Sequence, residues 1–300
     1  MPDRLKAVGL MCLAVTLFAC LDTTAKYLGS HLGVPTAEIV WVRFLGQALL
    51  MTAILGPARI PKLLQTKRLS LQLVRSTLMV ATTVCNFVAV QYLRLDQTIS
   101  IAFLAPLVVA ALAGPFLGEY VGRHRACAIV VGFIGILIVV RPGITEFHPA
   151  FLAAFLSMAV YSLFMIVTRK LSDVDPPLVT LFYSLLVGVF AGAVFAIPQW
   201  VWPSSAFEWL LLSMLGALGG FGHYLLIHAY RLAPASSVSP FLYFQLLSMT
   251  GLGFLVFGDV PDRWSVIGSA VVVLSGIYLV HRERVAHIES RTAAMERQAL

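Results

Sequence analysis

The chain has 300 residues, of which 59% are hydrophobic and 12% charged, and its mean hydropathy is +0.90. Soluble domains run near about 45–50% apolar and about 25% charged, so too few charges remain here to cover a water-facing surface, and a polytopic membrane protein is indicated. The net charge of +7, from 21 Lys and Arg against 14 Asp and Glu, reads as membrane topology rather than nucleic-acid binding, because cytoplasmic loops collect basic residues.

The first residues, Met1 to Lys6, lead into an apolar run. Leu17-Phe18-Ala19-Cys20 has the outline of a lipoprotein cleavage box, but Phe18 fits it poorly and nine apolar segments follow, so a retained first helix is expected. Ten spans are predicted, at 7–27, 37–56, 70–91, 98–118, 126–141, 150–168, 178–198, 207–228, 235–257 and 264–281. Each suffices for a hydrocarbon core of about 30 Å at about 1.5 Å per residue. Gly56-Pro57, Arg141-Pro142-Gly143, Asp175-Pro176-Pro177 and Trp202-Pro203 punctuate them, and the connections leave no room for a soluble domain. Backbone groups in lipid must be satisfied internally, so the fold class is an all-α membrane protein.

With a cytoplasmic N-terminus, 16 Lys and Arg fall inside and five outside (Lys26, Arg43, Arg94, Arg141 and Arg263), which predicts an inner-membrane protein with both termini cytoplasmic. Residues 1–6 are then a cytoplasmic start, 142–149 an external linker, and 282–300 a solvated helical tail. Cys12, Cys20, Cys85 and Cys127 lie in apolar runs without a CxxC spacing, supporting neither disulfides nor zinc.

The chain also repeats itself. Residues 97–119 parallel 237–259, with Gly118-Glu119 over Gly258-Asp259; Tyr92-Leu93-Arg94-Leu95 parallels Ala229-Tyr230-Arg231-Leu232; Pro35 matches Pro177. Asn86 then falls opposite His223. Residues 7–141 and 150–281 become two five-helix units, and because five is odd the second enters the bilayer from the opposite side. Inverted repeats of this kind are widespread in secondary transporters and hold substrate near midplane between the halves.

The five-plus-five pattern, the L-x-P…LGE stretch closing the fourth span and the GF-x-G-x-L-x-V-x-RPG run from Gly132 to Gly143 resemble the EamA-type drug/metabolite transporter superfamily. Leu246 replaces the proline of that motif in the second copy, where the first has Pro106. Asp22-x-x-x-Lys26 with Glu38…Arg43, and Arg75-Ser76 at the third span, look like a subgroup that includes riboflavin and S-adenosylmethionine carriers. The resemblance implies a small-molecule substrate, the bilayer as partner, no cofactor, and a monomer or homodimer.

Five charged residues lie inside spans: Asp22, Lys26, Glu38, Arg43 and Arg75. Each costs about 2.5–3.5 kcal/mol at midplane on insertion scales. Asp22 and Arg43 sit at equal depth below the outer surface, and Lys26 and Glu38 near the rim, so antiparallel register predicts the pairs Asp22–Arg43 and Lys26–Glu38. Such pairs either make buried charge tolerable or form an outer gate. At the matching positions the second unit has Phe164, Thr168, Thr180 and Leu185, so folding alone does not demand them. Arg75, five residues into its helix, is expected to snorkel.

Deeper in the spans, Asn86, Tyr161, His223, Tyr243 and Gln245 form the expected substrate-binding set, with Ser236, Ser237 and Ser239 opening the ninth span. Singly, each is explained by an interhelical hydrogen bond; together they supply directed polar groups on aromatic walls. His223 titrates near neutrality and is the proton-coupling candidate; His228 is a weaker one. Gly114-x-x-x-Gly118, Gly188-x-x-x-Gly192 and Gly216-x-x-x-Gly220 permit close helix packing, and Gly219, Gly220 and Gly222 beside His223 are also compatible with a loosened helix.

The expected function is secondary transport of a small polar metabolite such as riboflavin, S-adenosylmethionine, or an amino-acid-like or nucleoside-like solute. A membrane enzyme and a channel are the alternatives. No catalytic residue and no metal ligand is assigned: HExxH, a nucleophile elbow and a carboxylate partner for Asp22 are absent. No filter-like loop favours a channel, and no P-loop provides ATP drive.

Overall fold

The computed structural model describes residues 2–117, 123–141, 148–171, 174–233 and 238–299; side chains are described for fewer of these near both termini, around 113–125, and at 239 and 280. Among the described residues every regular element is a helix. The helices are α1 (Pro2–Ser30), α2 (Thr36–Leu55), the short α3 (Ile60–Leu63), α4 (Leu69–Tyr92), α5 (Leu95–Ala102), α6 (Ala105–Leu117), α7 (Arg123–Val140), α8 (Ala150–Leu171), α9 (Pro177–Ala196), α10 (Ala206–Leu232), α11 (Phe244–Phe257) and α12 (Arg263–Ala299). Among the described residues eight segments are long and apolar enough to cross a membrane, and Ala126–Val140 and Arg263–Leu279 are two shorter apolar helices. Large apolar side chains cover the outside: Phe190 is 70% exposed and Leu255 77%, as a lipid-facing surface requires.

The packing follows a pseudo-two-fold axis. α1 lies on α10, and their repeat mates α8 and α4 lie on each other; α2 meets its own mate α9, and α7 meets its own mate α12. Two cores result. One gathers Leu28, Ile39, Phe44, Phe87, Leu185 and Leu215 from α1, α2, α4, α9 and α10. The other gathers Leu104, Leu107, Ile136, Phe151 and Val272 from α5 to α8 and α12. Glycines let the helices approach. A Cβ on Gly216 of α10 would stand 2.5 Å from Gly46 of α2, and one on Gly268 of α12 would stand 2.5 Å from the Gly135 carbonyl of α7. Gly188 and Gly192 of α9 receive the rings of Phe44 and Trp41. The side chains of Gly114-x-x-x-Gly118 lie outside the described residues.

Two spans are broken, and at matching places. The fourth changes from α5 to α6 at Phe103-Leu104, two residues before Pro106, which has no N–H to donate to the preceding turn. The ninth begins as a 3-10 turn, Ser239–Tyr243, before α11. Pro106 has only Leu246 opposite it, so the shared break does not need proline at that position; Pro240 lies nearly two turns earlier in the second copy. On the repeat alignment Phe103 is the mate of Tyr243, and their rings meet edge to face with centroids 4.7 Å apart. A residue touching its own mate marks the pseudo-two-fold axis.

Candidate substrate site

The central layer is built by α1, α2, α4 and α10. Spacings of three or four residues put Phe18 and Asp22, Arg43 and Gln47, Thr83 and Asn86, and Gly219 and His223 each on one helix face. Asn86 Nδ2 donates to Asp22 Oδ1 at 3.0 Å. Arg43 Nη1 donates to Thr83 Oγ1 at 2.7 Å, and its guanidinium lies 5.0 Å from the Phe44 ring centroid and 5.7 Å from that of Phe87. Asp22 and Arg43 are electrostatic neighbours, as their depths predict, but they do not close to a direct ion pair. His223 Nδ1 sits 2.8 Å from the Gly219 carbonyl, and the ring stands edge-on to Phe18 at 4.9 Å. Arg43 Nε and both amide atoms of Gln47 are buried without a hydrogen-bond partner. Native interiors leave few such atoms, and each one asks for a reason.

Arg75 anchors a second cluster on the same face of α4, eight residues before Thr83 and so about 12 Å along the helix. It does not snorkel. Its side chain turns inward and is 8% exposed. Nε donates to Thr168 Oγ1 at 2.8 Å, and Nη1 donates to the Thr180 carbonyl at 3.0 Å and Ser184 Oγ at 2.7 Å. The guanidinium lies 4.5 Å from the Phe164 ring, on which Tyr161 stacks at 5.7 Å. Polar groups across the repeat boundary on α8 and α9 are nearer than water, which is why the side chain turns in.

At the end of the bundle formed by the α1–α2 loop, one predicted pair is corrected. Lys26 Nζ bonds Asp259 Oδ2 at 3.1 Å and the Leu93 carbonyl at 3.0 Å, above the Phe257 ring, and not Glu38. Glu38 Oε2 instead accepts the Val201 N–H at 3.0 Å. The reason is topological: consecutive helices α1 and α2 splay, α1 packing on α10 and α11 while α2 packs on α9 and α10. Nearby, Arg94 holds Asp96 through two nitrogens at 3.0 and 2.7 Å, and Arg141 Nη2 meets Asp262 Oδ2 at 2.6 Å. Burial pushes the Asp262 carboxyl up, but the Ser265 N–H and the Arg141 guanidinium outweigh it and hold it below the usual carboxylate range.

The expected site residues are therefore distributed. Asn86 and His223 share the central layer, and Tyr161 belongs to the Arg75 cluster. Tyr243 stands on the axis against Phe103, its hydroxyl pressed to Gly276. Gln245 Nε2 approaches Met249 Sδ of its own helix at 3.9 Å. Among the described residues, no hydrogen bond or ring contact joins Tyr243 or Gln245 to His223. Ser236, Ser237 and the Ser239 side chain lie outside the described residues. Gln47, Thr83 and Ser184 were not singled out from sequence, although Gln47 and Thr83 follow Arg43 and precede Asn86 at helical spacing; Gly219 was read only for the packing or loosening of its helix and Thr168 only as the repeat counterpart of Lys26. Among the described residues, no group of three or more His, Cys, Asp or Glu is placed to hold a metal.

A sequence model of the EamA-like transporter family matches residues 5–141 and 148–282, one copy for each half. The chain belongs to the EamA-like transporter family. Over 267 residues it is 28% identical to a riboflavin transporter of Vibrio cholerae, covering 89% of this chain and 90% of that one. Over 263 residues it is 25% identical to an S-adenosylmethionine uptake transporter of Rickettsia prowazekii, covering 88% of each. Over 279 residues it is 26% identical to the pseudopaline exporter CntI of Pseudomonas aeruginosa, covering 92% of this chain and 97% of that one. A protein of known crystal structure with 18% identity superposes with a TM-score of 0.60 over 92% of this chain and 98% of its own, which shows a common fold. Family and relatives together make the chain a multi-pass membrane transporter and not an enzyme.

Proposed function

We propose that the chain is a secondary-active carrier that moves a small polar organic metabolite across the inner membrane by alternating access, with both termini cytoplasmic and the halves 7–141 and 150–281 rocking about the axis between them. The observation that carries this reading is the buried polar layer at the crossing of α1, α2, α4 and α10, where the mates Asn86 and His223 lie beside partnerless atoms of Arg43 and Gln47. Buried donors and acceptors without partners suit a solute that supplies them. Tyr161 provides an aromatic wall. Tyr243 and Gln245 stand at the break of the ninth span, and discontinuous helices are where inverted-repeat transporters meet their substrates. Asp22, Lys26, Glu38 and Arg43 line the approach from the outer end. His223 is the group suited to couple a proton.

The test is flux into liposomes containing purified protein, with riboflavin and S-adenosylmethionine in a wider metabolite panel. A carrier gives saturable flux; linear, non-saturating flux indicates a channel. His223→Ala and Tyr243→Phe should weaken affinity by roughly 2- to 150-fold, the range for one lost buried hydrogen bond, while the amount of folded protein stays the same. Unchanged affinity in both variants refutes the site.

A further inference from the structure

We infer that the solute carries an anionic group, a carboxylate or a phosphate, and that Arg43 binds it. This rests on the transport reading above and narrows it. Among the described residues, the layers flanking midplane hold two buried guanidiniums, Arg43 (7% exposed) and Arg75 (8% exposed), and one carboxylate, Asp22. Asp22 is engaged by Asn86. Neither guanidinium forms an ion pair: Arg43 donates to the Thr83 hydroxyl, and Arg75 to two hydroxyls and a carbonyl. Aromatic rings stack against both, Phe44 and Phe87 for one and Phe164 for the other. Uncharged acceptors and rings hold each cation in place, and the one nearby carboxylate, Asp22, is bonded to Asn86 and does not close on Arg43; a charge without a direct counter-ion in a membrane interior is costly and rarely retained without use. Guanidinium is also the side chain best shaped for bidentate capture of carboxylate or phosphate.

Three further details place the anion at Arg43. Its Nε is buried and partnerless, and so is the neighbouring Gln47 amide. Facing them is Gly219: a methyl there would reach ordinary contact, 3.4 Å from the Gln47 Oε1 acceptor and 3.7 Å from the Arg43 Nε donor, so a side chain at this position would fill the gap beside the two groups. Arg75 lies about 12 Å further along the same face of α4, on the far side of midplane. One guanidinium thus serves each half of the path, and the anion passes from one to the other.

The test uses matched probes with the full chain in liposomes: riboflavin against riboflavin 5′-phosphate, and 5′-methylthioadenosine against S-adenosylmethionine. Each pair shares a ring system; the flavin pair differs by the phosphate alone and isolates the anion, whereas S-adenosylmethionine adds a carboxylate together with an ammonium and a sulfonium. The anion-bearing member should bind and move in preference to its partner. Arg43→Gln should lower its affinity by roughly 10- to 150-fold, the range for a hydrogen bond to a charged group. Arg43→Lys, which keeps the charge, should lose less. Gly219→Ala, which introduces no clash, should fold normally and weaken binding of the same probe. Saturable flux of riboflavin or methylthioadenosine equal to that of the anion-bearing partner overturns this inference and leaves the carrier reading standing. So does normal binding of the anionic probe by Arg43→Gln or by folded Gly219→Ala. Absence of saturable flux for every probe overturns both.

Discussion

Replacing Lys26 by Met keeps the apolar stem and deletes three interactions: the bond to Asp259, the bond to the Leu93 carbonyl and the stacking on Phe257. The side chains of the pair are 10% and 25% exposed, between the buried and surface limits. Severing a buried pair costs about 3–5 kcal/mol, and an exposed pair contributes about 0–1 kcal/mol. An intermediate loss of about 2–3 kcal/mol is expected for Lys26→Met, and less for Asp259→Asn, which keeps an oxygen acceptor. The double variant isolates the pair, and the coupling should be about 1–2 kcal/mol. Unfolding of the purified protein in mixed micelles with increasing SDS measures all four corners of the cycle. The same cycle between Lys26 and Glu38 should give a coupling near zero. A Lys26–Asp259 coupling below about 0.5 kcal/mol, or a larger one to Glu38, would refute the placement of Lys26.

Glu38→Gln should leave stability unchanged or raise it, because the amide still accepts the Val201 N–H and removes a buried charge that has no cation, whereas Glu38→Leu should cost about 1–3 kcal/mol in the same unfolding assay. Asp175, in the loop before α9, accepts from Thr66, Gln72 Nε2 and the Lys67 N–H. Burial pushes its carboxyl up, yet these donors outweigh burial and hold it below its ordinary value of 3.8. Its contribution is therefore present above that value and lost as pH falls through the lower folded one; a melting series from pH 6 to 3 should show this acid loss in the parent and a shallower one in Asp175→Asn. Gly216→Ala should destabilise by about 1–3 kcal/mol, because its methyl falls 2.5 Å from the Gly46 backbone, which has no flexible side chain to move aside. Gly219→Ala, by contrast, should be neutral or stabilising by up to about 1 kcal/mol through helix propensity.

Span positions were legible because apolar run length and bilayer thickness leave little freedom: 70–91 was expected where α4 runs Leu69–Tyr92, and 37–56 where α2 runs Thr36–Leu55. The breaks at Phe103-Leu104 and Tyr243-Phe244 were not, since a change of backbone path inside a continuous apolar run alters no composition. Asp22 and Arg43 were expected from depth to pair; they are electrostatic neighbours, but Asp22 bonds Asn86 and no direct ion pair closes. The same arithmetic failed for Lys26, because adjacency in sequence says nothing of how far two helices splay when a helix of the other half, here α10, packs against both. Arg75 failed for a related reason: its acceptors Thr168, Thr180 and Ser184 lie about a hundred residues away, and only the fold brings them to it.

The Lys26–Asp259 contact has one more implication. In a chain made of two inverted copies, exchanging the conformations of the copies transfers each contact to the mates of its residues. Lys26 maps to Thr168 and Asp259 to Glu119, the latter outside the described residues. The closure drawn here joins an ammonium to a carboxylate, while its mirror counterpart has a neutral hydroxyl where the ammonium stood. In the proposed cycle this one contact would favour the state with the Lys26 side shut. A solute arriving from that side has to supply the difference, so uptake and release would show different apparent affinities even for one and the same molecule.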